Sequence, residues 1–359
     1  MPSPATNGGT NMAALNYATE YLRELAQAYP YVLYYNQLRS IENDRRYRWI
    51  DAKTIKIQNL TTTGRVDADR DTISLAQRNY QNAWETKTLS FFRKWSTIVH
   101  PEDMSETRIE TIGKITDAYN QFQKFPEMDA YLISKLYSDW TTSIAAEDYQ
   151  GRTADTTTIT ASNVISVFDQ FKLNMDNERV PATGRLCYVP FEVMQLMENT
   201  DKWTRSINIQ NNNGRISRGL NMLDGIEIIP VPQELMQTLY DFTTGYKKVA
   251  MAGDIQMLMV HPSAIITPEI YETVMLDAPS GLSENKYVYY EESYSDAFIL
   301  NKRAGALQFN VKTPTFTEVS NPAGNPKAQG WAEEGETQGT YVFTEDTTVD
   351  ATKTYYTRS

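Results

Sequence analysis

A long polar stretch set between two segments of strand character constrains this fold more than any other feature of the sequence. Residues 61–81 are dominated by Thr, Gly, Asp and Arg and carry almost no apolar pattern. Before them, Ile55 and Ile57 alternate with polar neighbours, and the segment from Trp84 to Val99 that follows is also typical of a β-strand. Loops longer than about 12 residues in compact domains are usually functional or mobile. We therefore predict a long hairpin that projects from residues 54–99.

An aromatic arm and helices flank this hairpin. Residues 12–28 carry apolar side chains at helical spacing, which predicts a short amphipathic helix. The aromatic stretch 29–35 contains a proline, so it reads as an extended arm or edge segment, although an ordinary core strand remains an alternative. After helical character from Ser105 toward Phe122, a second helix begins at a proline and repeats apolar residues every four positions. We predict this spine helix over residues 126–147.

The second half of the chain alternates helices and strands after a polar break at residues 150–158. Helices are predicted at 161–175, 191–197 and 268–275, and strands at 185–190, 226–231, 256–260, 287–290, 296–301 and 306–311. The strand at 226–231 follows an Asp-Gly turn. Past residue 315 the composition turns to Gly, Pro, Thr and acid, with short strands at 340–344 and 353–357. The whole pattern predicts an α+β or a mixed α/β architecture.

Charge and residue usage exclude several functional classes. The 34 basic and 45 acidic residues give a net charge of −11, which argues against tight sequence-independent binding of nucleic acid. Cys187 is the single cysteine and lies in a predicted strand, so an inert buried thiol is expected. His100 and His261 each precede a proline and have no ligand-type partner nearby in sequence. We predict no metal, no cofactor, no membrane span and no signal peptide, and therefore a protein made in the cytosol.

Searches for catalytic motifs give mostly negative results. Glycine-rich phosphate loops are absent, and the three aspartates at 67, 69 and 71 lack the glycine and the bidentate acid of a calcium loop. Glu291 and Glu292 are adjacent, so a strand would point them to opposite faces. The one basic cluster with an interleaved aromatic residue, 45–48, is flanked by acids. A salt-bridge role within or between subunits is favoured there over nucleic acid.

Six phrases along the chain carry a resemblance to a known family. They are Trp49-Ile-Asp-Ala-Lys-Thr-Ile-Lys-Ile57, Trp84-Glu-Thr-Lys-Thr-Leu-Ser-Phe-Phe-Arg93, Pro126-Glu-Met-Asp-Ala-Tyr131, Leu223-Asp-Gly-Ile-Glu-Ile-Ile-Pro-Val-Pro232, Leu258-Met-Val-His-Pro-Ser-Ala264 and Tyr294-Ser-Asp-Ala-Phe-Ile-Leu-Asn301. In this order, over residues 12–315, the chain resembles the major capsid proteins of tailed bacteriophages, which have the Hong Kong ninety-seven-like fold.

The resemblance implies a division of the chain into parts. These are an N-terminal arm (1–48), a peripheral domain (49–150) with an extended loop (58–99) and the spine helix (126–147), an axial domain (151–290), closing strands of the peripheral domain (291–315) and a C-terminal β appendage (316–359). We expect deletion of 318–359 to leave shell assembly intact.

The resemblance also implies a function and partners. We expect a non-enzymatic shell protein that assembles into pentamers and hexamers of an icosahedral virion around double-stranded DNA. Scaffolding and portal proteins would be separate chains, and assembly would occur in the host cytoplasm. Two alternatives are a nanocompartment shell protein of the same fold and a hydrolase that uses scattered carboxylates. The candidate intersubunit contacts are Tyr31, Tyr34, Tyr35, Arg45, Arg46, Arg48, Trp84, Phe91 and Trp95.

Overall fold

The computed structural model describes most of the chain between the arm and the appendage. It covers residues 33–39, 46–51, 53–65, 79–99, 115–117, 119–144, 149–200, 222–249, 251–281, 283–314, 316–318, 331–334, 341–344 and 355–358. The predicted helix at 12–28 lies outside these residues. The described residues within 39–115 and 266–297 form a first compact unit, and those within 28–38, 116–265 and 298–359 form a second. The domain boundaries inferred from the resemblance stay a prediction.

The first unit contains the predicted hairpin as part of a three-stranded sheet, which we call the hairpin sheet. Its strands are Tyr47–Trp49, Thr54–Thr62 and Tyr80–Thr88, in that order across the sheet. The antiparallel register runs from the pair Thr54 and Thr88 to the pair Thr62 and Tyr80. The hairpin therefore ends at residue 88 and does not continue to 99 as the sequence suggested.

After residue 88 the chain enters a second sheet of the first unit, which we call the ribbon sheet. It consists of Glu269–Asp277, Tyr287–Ser295 and Phe91–Val99, with Tyr287–Ser295 in the middle. The strands Tyr80–Thr88 and Phe91–Val99 are separated at Ser90. The N–H and the hydroxyl of Ser90 both donate to the Asp296 carboxylate, at 2.8 and 2.9 Å. These bonds hold the chain at the junction between the hairpin sheet and the ribbon sheet.

The prediction of a helix at 268–275 is wrong, because this segment is a strand of the ribbon sheet. The proline followed by glutamate resembles a helix start, but Val274 and Leu276 pack with Tyr289 of the neighbouring strand. Strand preference is decided by such cross-strand packing, which lies outside the local sequence.

The second unit begins with the long helix, whose α-helical part spans Phe125–Thr141. A π-helical turn, Asn120–Lys124, leads directly into it, so the predicted break before Pro126 does not occur. The helix also ends six residues before the predicted Glu147, because Thr142 is extended at φ −87° and ψ 127°. Beyond it, Ile144 forms an antiparallel bridge with Tyr149 and leaves the helical repeat.

A mixed five-stranded sheet, the central sheet, forms the middle layer of the second unit. Its order is Leu307–Lys312, Asp254–Val260, Leu186–Pro190, Ile226–Val231 and Met222–Leu223. Leu186–Pro190 and Ile226–Val231 are parallel, and the other neighbours are antiparallel. The predicted Asp-Gly turn is confirmed, since Asp224 and Gly225 have φ of 51° and 80° between the last two strands.

Helices cover both faces of the central sheet. On one face, Val164–Asn177 and Phe191–Glu198 bury a cluster that includes Phe168, Phe171 and Met197 with Cys187 and Met259 of the sheet. On the other face, the long helix places the Trp140 ring 5.1 Å from that of Phe309. The core of the second unit is thus a helix, sheet and helix sandwich, and the predicted α+β fold class is confirmed.

Short elements complete the described chain. They are the 3₁₀ turns Asn36–Leu38, Gln233–Leu235, Pro262–Ala264 and Asn301–Ala306 and the strands Tyr240–Asp241, Lys247–Lys248, Ile265–Ile266 and Phe298–Ile299. The carboxy-terminal part contains a four-stranded antiparallel sheet in the order Phe316–Glu318, Tyr355–Arg358, Trp331–Glu334 and Tyr341–Thr344.

Candidate subunit-contact surfaces

A strict alternation of burial runs from the hairpin sheet into the ribbon sheet. From Trp84 to Val99, every even-numbered residue is exposed and every odd-numbered residue is buried or half-buried. The alternation continues through Ser90, where the chain passes from one sheet to the other. Only the odd-numbered face of this segment is therefore covered. At about 3.3 Å per residue, the exposed face follows roughly 50 Å of chain.

The outward face of the hairpin sheet, its even-numbered face, presents large apolar side chains. Leu60, Tyr80 and Trp84 are 53%, 54% and 42% exposed. The register pairs Leu60 with Asn82, which places it diagonally between the two aromatic residues on the same face. The guanidinium carbon of Arg48 lies 5.9 Å from the centre of the Trp84 ring. Apolar side chains of this size on an open sheet are typical of a contact surface.

The outward face of the ribbon sheet continues this character. The Phe92 ring stacks on Tyr294 with 4.0 Å between centroids, and the Lys53 ammonium lies 4.8 Å from the Tyr294 ring. Farther along, Ile98 and Met275 are 61% and 51% exposed. Alternation in the sequence marks Phe92 and Ile98, but Met275 could only be found once the segment was known to be a strand.

The inward face of the ribbon sheet is closed within the unit. Val99 and Tyr289 are buried, and the Trp95 ring packs 5.4 Å from that of Tyr289. The Tyr289 hydroxyl donates to the Glu291 carboxylate at 2.6 Å, while Glu292 lies on the outward face. The two adjacent glutamates therefore point to opposite faces, as predicted, and do not form an acid–base pair.

Two of the candidate contact residues prove to be core residues of their own units. Tyr35 is fully buried, its ring lies 4.9 Å from Tyr188, and its hydroxyl donates to the Leu235 carbonyl at 3.2 Å. Burial, together with the neighbouring Asp129 carboxylate, raises the pKa of Tyr35 well above its usual value. Phe91 is 8% exposed on the inward face of the ribbon sheet. Neither side chain is available to a neighbouring subunit in this conformation.

The other candidates divide between surface and interior. Tyr34 is 38% exposed, and its backbone N–H donates to the Asp129 carboxylate at 2.8 Å. Arg48 and Trp84 are exposed on the outward face, whereas Arg46 and Trp95 are half-buried. The candidates Tyr31 and Arg45 lie outside the described residues. The structure thus brings together Arg48 and Trp84 and adds Leu60 and Tyr80 to them.

Groups with possible chemistry have structural roles where they are described. Burial raises the pKa of the Cys187 thiol from 9.0 to about 12. His261 accepts a hydrogen bond from the Ser263 N–H at its Nδ1 atom, and its Nε2 atom lies 3.1 Å from the Thr183 carbonyl oxygen. Within the described residues, no three His, Cys, Asp or Glu side chains are grouped so that they could hold a metal ion. The described helices include none that is long and apolar enough to cross a membrane.

Comparison with known proteins gives matches in structure alone. No family model and no curated protein sequence matches the chain. The mature capsid of bacteriophage PhiM1 aligns with 73% of this chain and 82% of its own at 15% identity and a TM-score of 0.55. A chain of Mycobacterium phage Che8 aligns over 78% and 90% at 11% identity and a TM-score of 0.50. The capsid of Cyanophage P-SCSP1u aligns over 77% and 85% at 11% identity and a TM-score of 0.52. The chain therefore has the Hong Kong ninety-seven-like fold found in tailed-phage capsids.

Proposed function

We propose that this chain is the major capsid protein of a tailed bacteriophage and builds a closed shell from many copies of itself. The observation that carries the proposal is the structural match to the PhiM1 capsid, which extends over 73% of this chain. The copies would form pentamers and hexamers through repeated head-to-tail contacts that close into rings.

The outward face of the hairpin sheet supports this role. The strand Tyr80–Thr88 has no buried residue, and the last three residues of Thr54–Thr62 are exposed. The strand Tyr47–Trp49 pairs only with residues 55–57, so the hairpin is two-stranded beyond that point. A two-stranded hairpin is marginally stable in water by itself, so packing on another subunit would stabilise it. Burial of its apolar side chains at about 25 cal/mol per Å² would contribute to association.

The remaining partners follow from the role of a phage shell. The shell would enclose double-stranded DNA without sequence readout, and scaffolding and portal proteins would join it as separate chains. The protein would act without catalysis, assemble in the host cytoplasm and end in the virion.

Electron microscopy with sedimentation of the purified full chain, expressed alone and with its neighbouring genes, tests the proposal. We expect closed shells or capsomer rings. A compact monomer under all conditions would contradict the proposal. The ratio of absorbance at 260 nm to that at 280 nm, measured on purified particles, tests whether they hold nucleic acid. Particles that retain an enzyme as cargo, instead of scaffolding protein or nucleic acid, would refute the phage assignment while leaving the shell intact.

A further inference from the structure

The hairpin sheet is basic, although the chain as a whole is acidic. Residues 46–88, which include the loop that joins its two long strands, contain eight basic and five acidic side chains, which is a net charge of +3. Since the total is −11, the rest of the chain carries −14. Charge of one sign concentrated in one part of a molecule favours association with a surface of the opposite sign.

Of the acids in this segment, the structure describes Asp51 and Glu85, and neither shares the outward face with Arg48 and Lys56. Glu85 belongs to the opposite, odd-numbered face, where it accepts a hydrogen bond from Asn59 at 2.7 Å. Asp51 lies in the turn between the first two strands and accepts the Lys53 N–H at 2.8 Å. The outward face therefore combines two cations with Leu60, Tyr80 and Trp84 and has no carboxylate of its own among the described strands.

The two cations of this face stand directly opposite each other. The register pairs Arg48 with Lys56 across neighbouring antiparallel strands. Like charges in this position destabilise a sheet, and neither side chain has a carboxylate partner within the described part of the chain. The Trp84 ring offsets part of this repulsion for Arg48, whereas no aromatic ring among the described residues does so for Lys56. An anionic group from outside would relieve the repulsion.

We propose that the outward face of the hairpin sheet docks on an acidic surface of a second copy of this chain, so that charge steers assembly. This inference rests on the proposed function and specifies the chemistry of the surface that the hairpin contacts. A second copy fits better than nucleic acid for two reasons. The exposed Leu60, Tyr80 and Trp84 require an apolar partner surface, and a molecule with net charge −11 repels a polyanion at a distance.

Paired charge removal tests the proposal on the full chain. In Arg48→Gln with Lys56→Gln, the like-charge repulsion is gone, so we expect the urea midpoint of the unassembled protein to stay level or rise. At about 0.1 M NaCl we expect the assembly rate, followed by light scattering, to fall about tenfold. At about 1 M NaCl, where the Debye length shrinks from about 10 Å to about 3 Å, wild type and variant should converge.

A matched control separates local from total charge. Lys247→Gln with Lys312→Gln removes the same charge from exposed positions of the second unit and should assemble like the wild type. Equal effects of the two pairs, or an unchanged rate in Arg48→Gln with Lys56→Gln at low salt, would overturn the inference. The inference would also be overturned if a DNA duplex of about 60 base pairs bound the protein through Arg48 and Lys56 while the assembly rate did not depend on these two residues. A wild-type chain that forms no oligomer at either salt concentration would instead refute the proposed function, and the inference with it.

Discussion

The hairpin sheet and the central sheet use the same kind of secondary structure in opposite ways. In the central sheet, every residue of Leu186–Pro190 is buried, because helices cover both faces. In the hairpin sheet, no residue of Tyr80–Thr88 is buried. A strand whose apolar side chains are covered by its own chain contributes to folding, whereas one whose apolar side chains stay exposed is available for association. The difference assigns stability to the second unit and supports the contact role proposed for the hairpin sheet.

The largest expected effect on the free energy of unfolding comes from replacing one tryptophan in each of the two regions by alanine. Trp140 is 2% exposed, and its Nε1–H donates to the Ala304 carbonyl at 3.1 Å. We expect Trp140→Ala to reduce the free energy of unfolding by about 3–5 kcal/mol in urea titrations. The matched variant Trp84→Ala, at an exposed site, should lose less than about 1 kcal/mol yet impair assembly. Equal losses of unfolding free energy in the two variants would contradict the difference in burial between the two regions.

The second-largest expected effect on the free energy of unfolding concerns a close backbone contact at the end of the long helix. A Cβ atom on Gly151 would sit 1.8 Å from the Thr141 carbonyl oxygen, so the chain cannot accept a side chain there without a backbone shift. We expect Gly151→Ala to lower the free energy of unfolding by about 3 kcal/mol. Gly281 has nothing within 4 Å of such an atom, and Gly281→Ala should be neutral or slightly stabilising. Similar urea midpoints for the two variants would show that the backbone at Gly151 lies less close to Thr141 than described.

The smallest effect concerns the single thiol of the central sheet. Because burial raises the pKa of Cys187 from 9.0 to about 12, the folded protein should resist alkylation at pH 8 and react only after unfolding. Above pH 9 the unfolded thiol ionises while the folded one does not, so stability declines as pH rises toward 12, and Cys187→Ala should flatten that decline. The control Thr86→Cys, on the exposed face of the hairpin sheet, should take up one label in the folded state. Rapid labelling of Cys187 in the folded wild-type protein would contradict its burial in the central sheet.

Local patterns in the sequence predicted elements whose own residues decide their conformation. The Asp-Gly turn and the strand after it, the helix that buries Phe168 and Phe171, and the alternation at Ile55 and Ile57 are all present. In each case, spacing of apolar residues or turn preference within a few positions is sufficient.

Features that depend on distant partners could not be predicted in this way. The segment Glu269–Asp277 is a strand because it pairs with Tyr287–Ser295, and Tyr35 is buried because Tyr188 and Leu235 lie against it. The outward face of the hairpin sheet shows the same limit. The basic cluster at 45–48 and the strand pattern after Trp84 point to Arg48 and Trp84, but only the register places Leu60 and Tyr80 on the same face as these two residues.

The bonds from Ser90 to Asp296 have a consequence for how this surface tolerates change. They hold the two-residue link between Thr88 and Phe91, across which even positions stay outward in both sheets. Because side chains of a strand alternate with a period of two, inserting or deleting one residue in this link would turn the outward side chains of one sheet inward while the other kept its orientation. The composition of the outward face can therefore drift by substitution, but the length of this link has to stay constant. In this segment, an insertion or deletion is therefore more damaging than a substitution.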